Sequence, residues 1–262
     1  RRLRTDRGVV ETTVSSYRMY VADLVEHLGD APSTYTARGL RDFVAKRYGH
    51  YGRNSIRMVL AAVRMFLRYL ATAGRCRPGL EHALMSPANW SQQSLPRGLT
   101  SEQVRQVLRA CPATPTGVRD RAILLLLLRL GLRAGDVASL RLSDLCFDTA
   151  TLRVSGKGKR EVRLPLPQDV GDAVLDYLRI CRRVQTERVF VRVIAPFEPF
   201  GSSGAVSHVA RTALKRAGVQ RPSSGAHVFR HTAACEMLRQ GIALESIAEV
   251  LLHRSIETTA DP

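Results

Sequence analysis

The chain has 262 residues, 45% of them hydrophobic, which suits one large domain or two small ones with a core that needs no covalent staples. Forty Lys and Arg against 23 Asp and Glu give a net charge of +17 and a pI near 10.7, which implies a polyanionic partner, with a generally basic solvated surface as the plain alternative. The longest apolar run, Ala122 to Leu128, is bracketed by Arg121 and Arg129 and is too short to cross a bilayer; it reads as a core helix.

The first third reads as helices. TTVSSYRMYVADLVEHLG places Tyr17, Val21, Leu24, Val25 and Leu28 on one face, with Gly29 as the stop. TARGLRDFVAKRY opens on a cap candidate, Thr36, and carries Leu40, Phe43 and Val44. Ser55 is a cap candidate for a long helix whose stripe is Ile56, Val59, Leu60, Val63, Phe66, Leu67 and Leu70, closed by Gly74. Arg57, Arg64 and Arg68 lie off that stripe, where they can meet solvent or phosphate. The expectation is a small helical bundle over residues 1–90.

SQQSLPRG (91–98) is polar, contains Pro and Gly, and has no periodicity, so it reads as a linker. Thr100 and Gln103 then form a capping-box pattern, followed by a core helix that Gly131 ends. From residue 150 the period changes. TLRVSG and REVRLPL alternate around SGKGKR, which predicts a β-hairpin with a Gly-Lys-Gly turn, and RVFVRV predicts a third short strand. Helices resume at SHVARTALKRAG, HVFRHTAACEMLRQG and LESIAEVLLH. The fold class is mainly α with a small β-sheet: a helical bundle, then an α+β domain over residues 99–262. Five scattered cysteines without C-x-x-C read as reduced core thiols of a cytoplasmic protein.

The basic excess is shared: residues 1–90 hold 15 basic and 7 acidic residues, and residues 91–262 hold 25 and 16. Two basic lobes suit a clamp around duplex DNA better than a single basic tail does.

Three clusters can carry chemistry. Arg133 and Asp136 stand three apart at a helix start, where the plainest reading is a surface ion pair. Lys157 and Lys159 lie at the hairpin tip, where a lysine is usually only solvated. His227, Arg230 and His231 form HVFRH, with His253 twenty-six residues after His227. A zinc site from His227, His231 and His253 is disfavoured: Val228 stands where a metalloprotease needs Glu, and Arg230 would set a cation beside the metal.

R-x-x-D, a G-K-G hairpin, H-x-x-R-H and L-x-H-R-S-x-x-T-T, in that order and spacing, resemble the tyrosine recombinase (phage integrase and Xer) family over nearly the whole chain. The resemblance implies a SAM-like core-binding bundle and a catalytic domain that perform site-specific DNA recombination or integration. It implies duplex DNA as partner, self-association on DNA, service to a mobile element, and neither metal nor nucleotide cofactor. By resemblance Arg133 and Arg230 grip the scissile phosphate, Lys157 protonates the leaving oxygen, His227 handles the nucleophile's proton, His253 bonds a phosphate oxygen, and Asp136 supports them. Arg57, Arg64, Arg68 and Lys159 are the further DNA contacts. Charge growing on phosphate oxygens is what arginine forks neutralise best, so these residue types suit the chemistry.

In that family the nucleophilic tyrosine lies nine residues beyond the position matched by His253, and here that position is Pro262. The last tyrosine in the sequence is Tyr177, in AVLDYLRI, where core packing accounts for it. Residues 1–262 are therefore expected to bind duplex DNA without cleaving it. The open explanations are a decayed or frameshifted gene, a nucleophile further along a longer protein, and a non-catalytic DNA-binding relative; self-association is expected to be weakened where the family's last helix is missing.

Overall fold

The computed structural model describes residues 11–48, 53–85, 98–155, 161–182, 184–221 and 225–251. The chain divides into two compact units, Arg1–Gln93 and Ser94–Pro262.

In the first unit, helices α1 (Glu11–Leu28), α2 (Ala37–Tyr48) and α3 (Arg53–Thr72) pack together. Their contact layer is the predicted one: Leu24, Leu40, Ile56, Val59, Leu60, Val63 and Leu67 are wholly buried, each contributing roughly 1.5–3 kcal/mol of hydrophobic stabilisation. Gly29 takes a left-handed φ of +89° at the end of α1, a conformation that costs glycine nothing. Thr36 caps α2, its hydroxyl accepting from the Gly39 N–H at 3.1 Å. Helix α3 begins two residues before the expected cap, Ser55. Arg47 donates from Nε to Asp23 at 2.7 Å and so ties α2 to α1.

The second unit is built on α5 (Pro115–Arg129), preceded by α4 (Ser101–Arg109) with its Thr100–Gln103 capping box. Residues Ala122 to Leu128 of α5 are buried on every side, as the all-apolar run predicted. Around α5 pack α6 (Ala134–Ser139), α7 (Gln168–Asp176), α8 (Ser203–Arg216) and α9 (Ala226–Arg239), with α10 (Leu244–Val250) against α9. Asp120, 3% exposed, meets Arg119 at 2.7 Å and Arg216 at 3.7 Å, joining α5 to α8.

The sheet is antiparallel, β1 (Leu145–Cys146), β2 (Thr151–Ser155) and β3 (Glu161–Pro165) in that order. The β2–β3 register runs from Thr151 opposite Pro165 to Ser155 opposite Glu161, which is the expected hairpin. The expected strand at RVFVRV does not form, and β1 takes the third place instead. Val189 and Phe190 are wholly buried and Val191 is 2% exposed, so this run threads the core. Its backbone bonds go to Leu140, Phe200 and the Tyr177 hydroxyl rather than to a ladder.

The five cysteines form no disulfide, but Cys146 is exposed on β1, against the expectation of core thiols throughout. No described helix is long and apolar enough to cross a membrane.

Candidate active site

Arg133 is the N-cap residue of α6, held extended at φ −72°, ψ 148°. Asp136, at the third helical position, turns back so that its carboxylate accepts from the Arg133 backbone N–H at 3.3 Å. The pair is thus an internal cap, half-buried, rather than the surface ion pair expected at this spacing. Burial raises the Asp136 pKa above its ordinary value, against the opposing pull of the Arg133 charge, the Arg133 N–H and the Arg230 charge.

Arg230 lies on α9 and is 7% exposed. Its Nη1 donates to the Gly131 carbonyl and its Nη2 to the Leu251 carbonyl, so the guanidinium bridges the loop after α5 to the end of α10. Two of its five N–H donors serve these bonds. Burial, and next the nearby Arg133 cation, lower its pKa to about 10, with Asp136 acting in the opposite sense. Arg133, Asp136 and Arg230 therefore form one electrostatic group from two helix starts, with two cations on one carboxylate.

His227 sits one turn before His231 on α9. Their Nε2 atoms are 2.7 Å apart and the rings meet edge to face, with centroids at 4.2 Å. His227 is exposed along one side of α9; partial desolvation of its ring, and next the Arg230 charge, lower its pKa below its ordinary value.

Beside this group, Arg153 on β2 donates twice to one oxygen of Asp144, at 3.0 and 2.9 Å, fixing the hairpin to the turn after α6. A polar cleft of about 450 Å³ runs between them, lined by Asp136, Arg141, Asp144, Arg153, Glu161 and Arg188. Arg141, Asp144 and Arg153 were not singled out from sequence. Arg141 and Asp144 repeat the Arg133–Asp136 spacing, and the Asp144 carboxylate accepts from the Arg141 N–H at 3.0 Å; that spacing was the available signal.

Lys157 and Lys159 fall in 156–160 and His253 in 252–262, outside the described residues. Tyr177 is wholly buried, accepts from the Val191 N–H at 3.1 Å and stacks on Phe190 with centroids at 5.4 Å. It is the core residue the sequence suggested. In the first unit Arg57 is exposed on α3. Arg68 lies 3.6 Å from Glu81 with its side chain 65% exposed. Arg64 donates to the Leu84 carbonyl at 2.5 Å, so part of its guanidinium is engaged within its own unit.

Comparison with known proteins agrees with this architecture. The sequence pattern of the Phage integrase family matches residues 97–261, and that of the Phage integrase, N-terminal SAM-like domain matches residues 1–74. The chain is 39% identical to the integrase/recombinase y4rA of Sinorhizobium fredii over 99% of this chain and 65% of that protein. It is 30% identical to tyrosine recombinase XerA of Thermococcus onnurineus over 96% of this chain and 84% of that one. It spans 65% and 48% of the lengths of the two Sinorhizobium fredii relatives y4rA and y4rF. Its fold matches a lambda integrase dimer bound to a COC′ core site with a TM-score of 0.80 at 18% identity, over 99% of this chain and 90% of that one. The family's pattern covers more than half of the sequence, and the helix starts that bring Arg133, Asp136, Arg230 and His227 together lie inside it: the chain belongs to the phage integrase family.

Proposed function

We propose that this chain binds duplex DNA through both units and belongs to a site-specific recombinase that exchanges strands through a phosphotyrosyl intermediate. The observation that carries the reading is that Arg133, bonded through its N–H to Asp136, and the buried Arg230 both act electrostatically on the Asp136 carboxylate. Two guanidiniums acting on one carboxylate concentrate positive charge that a phosphodiester would neutralise. Relatives named integrase and tyrosine recombinase, and lambda integrase structures bound to a COC′ core site and to DNA, support the same ligand.

In this reading Arg133 and the remaining donors of Arg230 hold the non-bridging oxygens of the scissile phosphate. Asp136 keeps Arg133 in its extended cap conformation. His227, which partial desolvation and Arg230 keep neutral at pH 7, takes the proton of the attacking hydroxyl. Lys157 gives a proton to the leaving 5′ oxygen, and His253 donates to a phosphate oxygen. Residues 1–90 form the core-binding domain, 91–98 the linker and 99–262 the catalytic domain, with Arg57, Arg64, Arg68 and Lys159 as further phosphate contacts. The protein acts on the DNA of a mobile element, in the cytoplasm.

A second reading has a specific observation behind it. Position 262, nine beyond His253, is Pro, and proline has no hydroxyl. Residues 1–262 on this reading are a DNA-binding relative that does not cleave, or the product of a decayed recombinase gene. Reading the coding DNA past codon 262 separates the two. The shared claim is tested by selecting duplexes from a random pool with the chain. Enrichment of one discrete site is expected, with no covalent adduct on a nicked copy of it; retention of all duplexes alike would end the site-specific reading.

A further inference from the structure

His231 has no role in the scheme above, yet its Nε2 stands 2.7 Å from the Nε2 of His227, one turn away on the same helix. Two ring nitrogens at that distance must share one hydrogen: one ring donates Nε2–H and the other accepts through an Nε2 lone pair. A neutral imidazole protonated on Nε2 carries its lone pair on Nδ1. Among the described residues, Arg230 on the same helix acts on His227, and Arg133 and Asp136 act in turn on Arg230. Partial desolvation and Arg230 both favour the neutral ring, and within the neutral form hydrogen bonding selects the tautomer.

We propose that His231 is a positioning residue: it accepts the Nε2–H of His227, fixes that ring's tautomer and orientation, and leaves Nδ1 of His227 as the atom that receives the proton in strand cleavage. This rests on the reading of His227 as the base. The proton balance is simple. The hydroxyl proton moves to Nδ1, His227 becomes an imidazolium, and its Nε2–H stays in the bond to His231. The acceptor gains in value at that moment, because a bond from a charged donor is about twice as strong as a neutral one. An i,i+4 relation on one helix makes the arrangement rigid, since both rings hang from consecutive turns of the same rod. It is the relation by which a hydrogen bond to one imidazole nitrogen decides what the other can do.

The test uses the whole chain, without DNA, labelled with ¹⁵N in its histidines. At pH 8 His227 is expected to show a protonated Nε2 and an unprotonated Nδ1, His231 the reverse at Nε2, with a scalar coupling between the two Nε2 nuclei across the hydrogen bond. His231→Phe should abolish the coupling and leave His227 as a mixture of tautomers. His231→Gln, which restores an acceptor one turn away, should return His227 to the Nε2–H form. Absence of the coupling in the wild-type chain, the opposite tautomer at His227, or unchanged His227 nitrogens in His231→Phe would each overturn the proposal. If the Phe variant does not fold, the wild-type coupling and the Gln variant still decide the matter. Because no DNA is present, failure here is distinct from failure of the DNA-binding reading, which the selection experiment judges alone.

Discussion

Thr232 lies next to the His227–Arg230–His231 turn and is 5% exposed. Its hydroxyl donates to the Val228 carbonyl at 2.8 Å and accepts from the Leu99 N–H at 2.9 Å, across 133 residues of sequence. Leu99, itself 1% exposed, is thereby fastened to the helix that carries the candidate site. Gly98 fits against the same place: a Cβ there would come within 3.0 Å of the Thr232 Cα. Thr232→Val keeps the branched shape and removes the hydroxyl, leaving the Leu99 N–H buried without a partner. Stranding such a donor costs about 1–3 kcal/mol. The Val228 carbonyl loses little, since a helix carbonyl retains its backbone bond. We take a loss of about 2 kcal/mol, and a unit of this size then melts ~4–8 °C lower. Thermal unfolding followed by circular dichroism gives the shift, and hydrogen exchange at the Leu99 amide gives its origin. Thr232→Ser, which keeps the oxygen, should lie well above the Val variant. A Val variant within about 0.5 kcal/mol of wild type, or a Ser variant as weak as Val, would refute the reasoning.

Arg230→Met should lower the melting temperature as well as DNA affinity, because the buried guanidinium braces the Gly131 and Leu251 carbonyls, whereas Arg133→Ala, at a half-buried helix start, should lower affinity with a smaller loss of stability; equal melting of the two variants would contradict the strut seen for Arg230. Gly131→Ala should destabilise by about 1–2 kcal/mol from its φ of +57° alone, with an added clash on Leu251, so a neutral result would contradict the tight junction of Gly131, Leu251 and Arg230. The folded-state pKa of His227 is below the unfolded 6.5, so between those two values the unfolded chain binds more protons; stability should fall as pH drops through 6.5, and His227→Gln should flatten that part of the curve in urea titrations. An unchanged slope in the variant would assign the acid sensitivity to other groups.

The helices were legible because their apolar stripes and caps agree: Ile56 to Leu70 repeat at helical spacing, Thr36 and Thr100 stand where a cap must, and Gly29 stops α1 with a positive φ. The β2–β3 hairpin was legible for the same reason, alternation on both sides of a glycine turn. RVFVRV misled because a run buried on both sides looks like a strand whether or not its backbone finds a ladder. At the site, the order of Arg133, Asp136, His227 and Arg230 was visible, but the burial of Arg230 was not. Arginine is expected at the surface, and nothing local says that Gly131 and Leu251 will offer carbonyls to Arg230. The Thr232–Leu99 bond and the His227–His231 pairing depend on tertiary packing and on rotamers, which residue spacing alone leaves open.

The central claim is that this chain recognises the phosphates of duplex DNA with many of its 40 basic residues. The most direct measurement is its affinity for a duplex across a series of salt concentrations. A plot of log affinity against log salt should fall with a slope of roughly −5 to −9, the signature of six to ten phosphates stripped of counterions. The slope should become shallower by about one for each of Arg57, Arg68 and Arg133 replaced by alanine. A slope near zero, or one that these replacements leave untouched, would contradict the account and leave the +17 charge as an ordinary solvated surface.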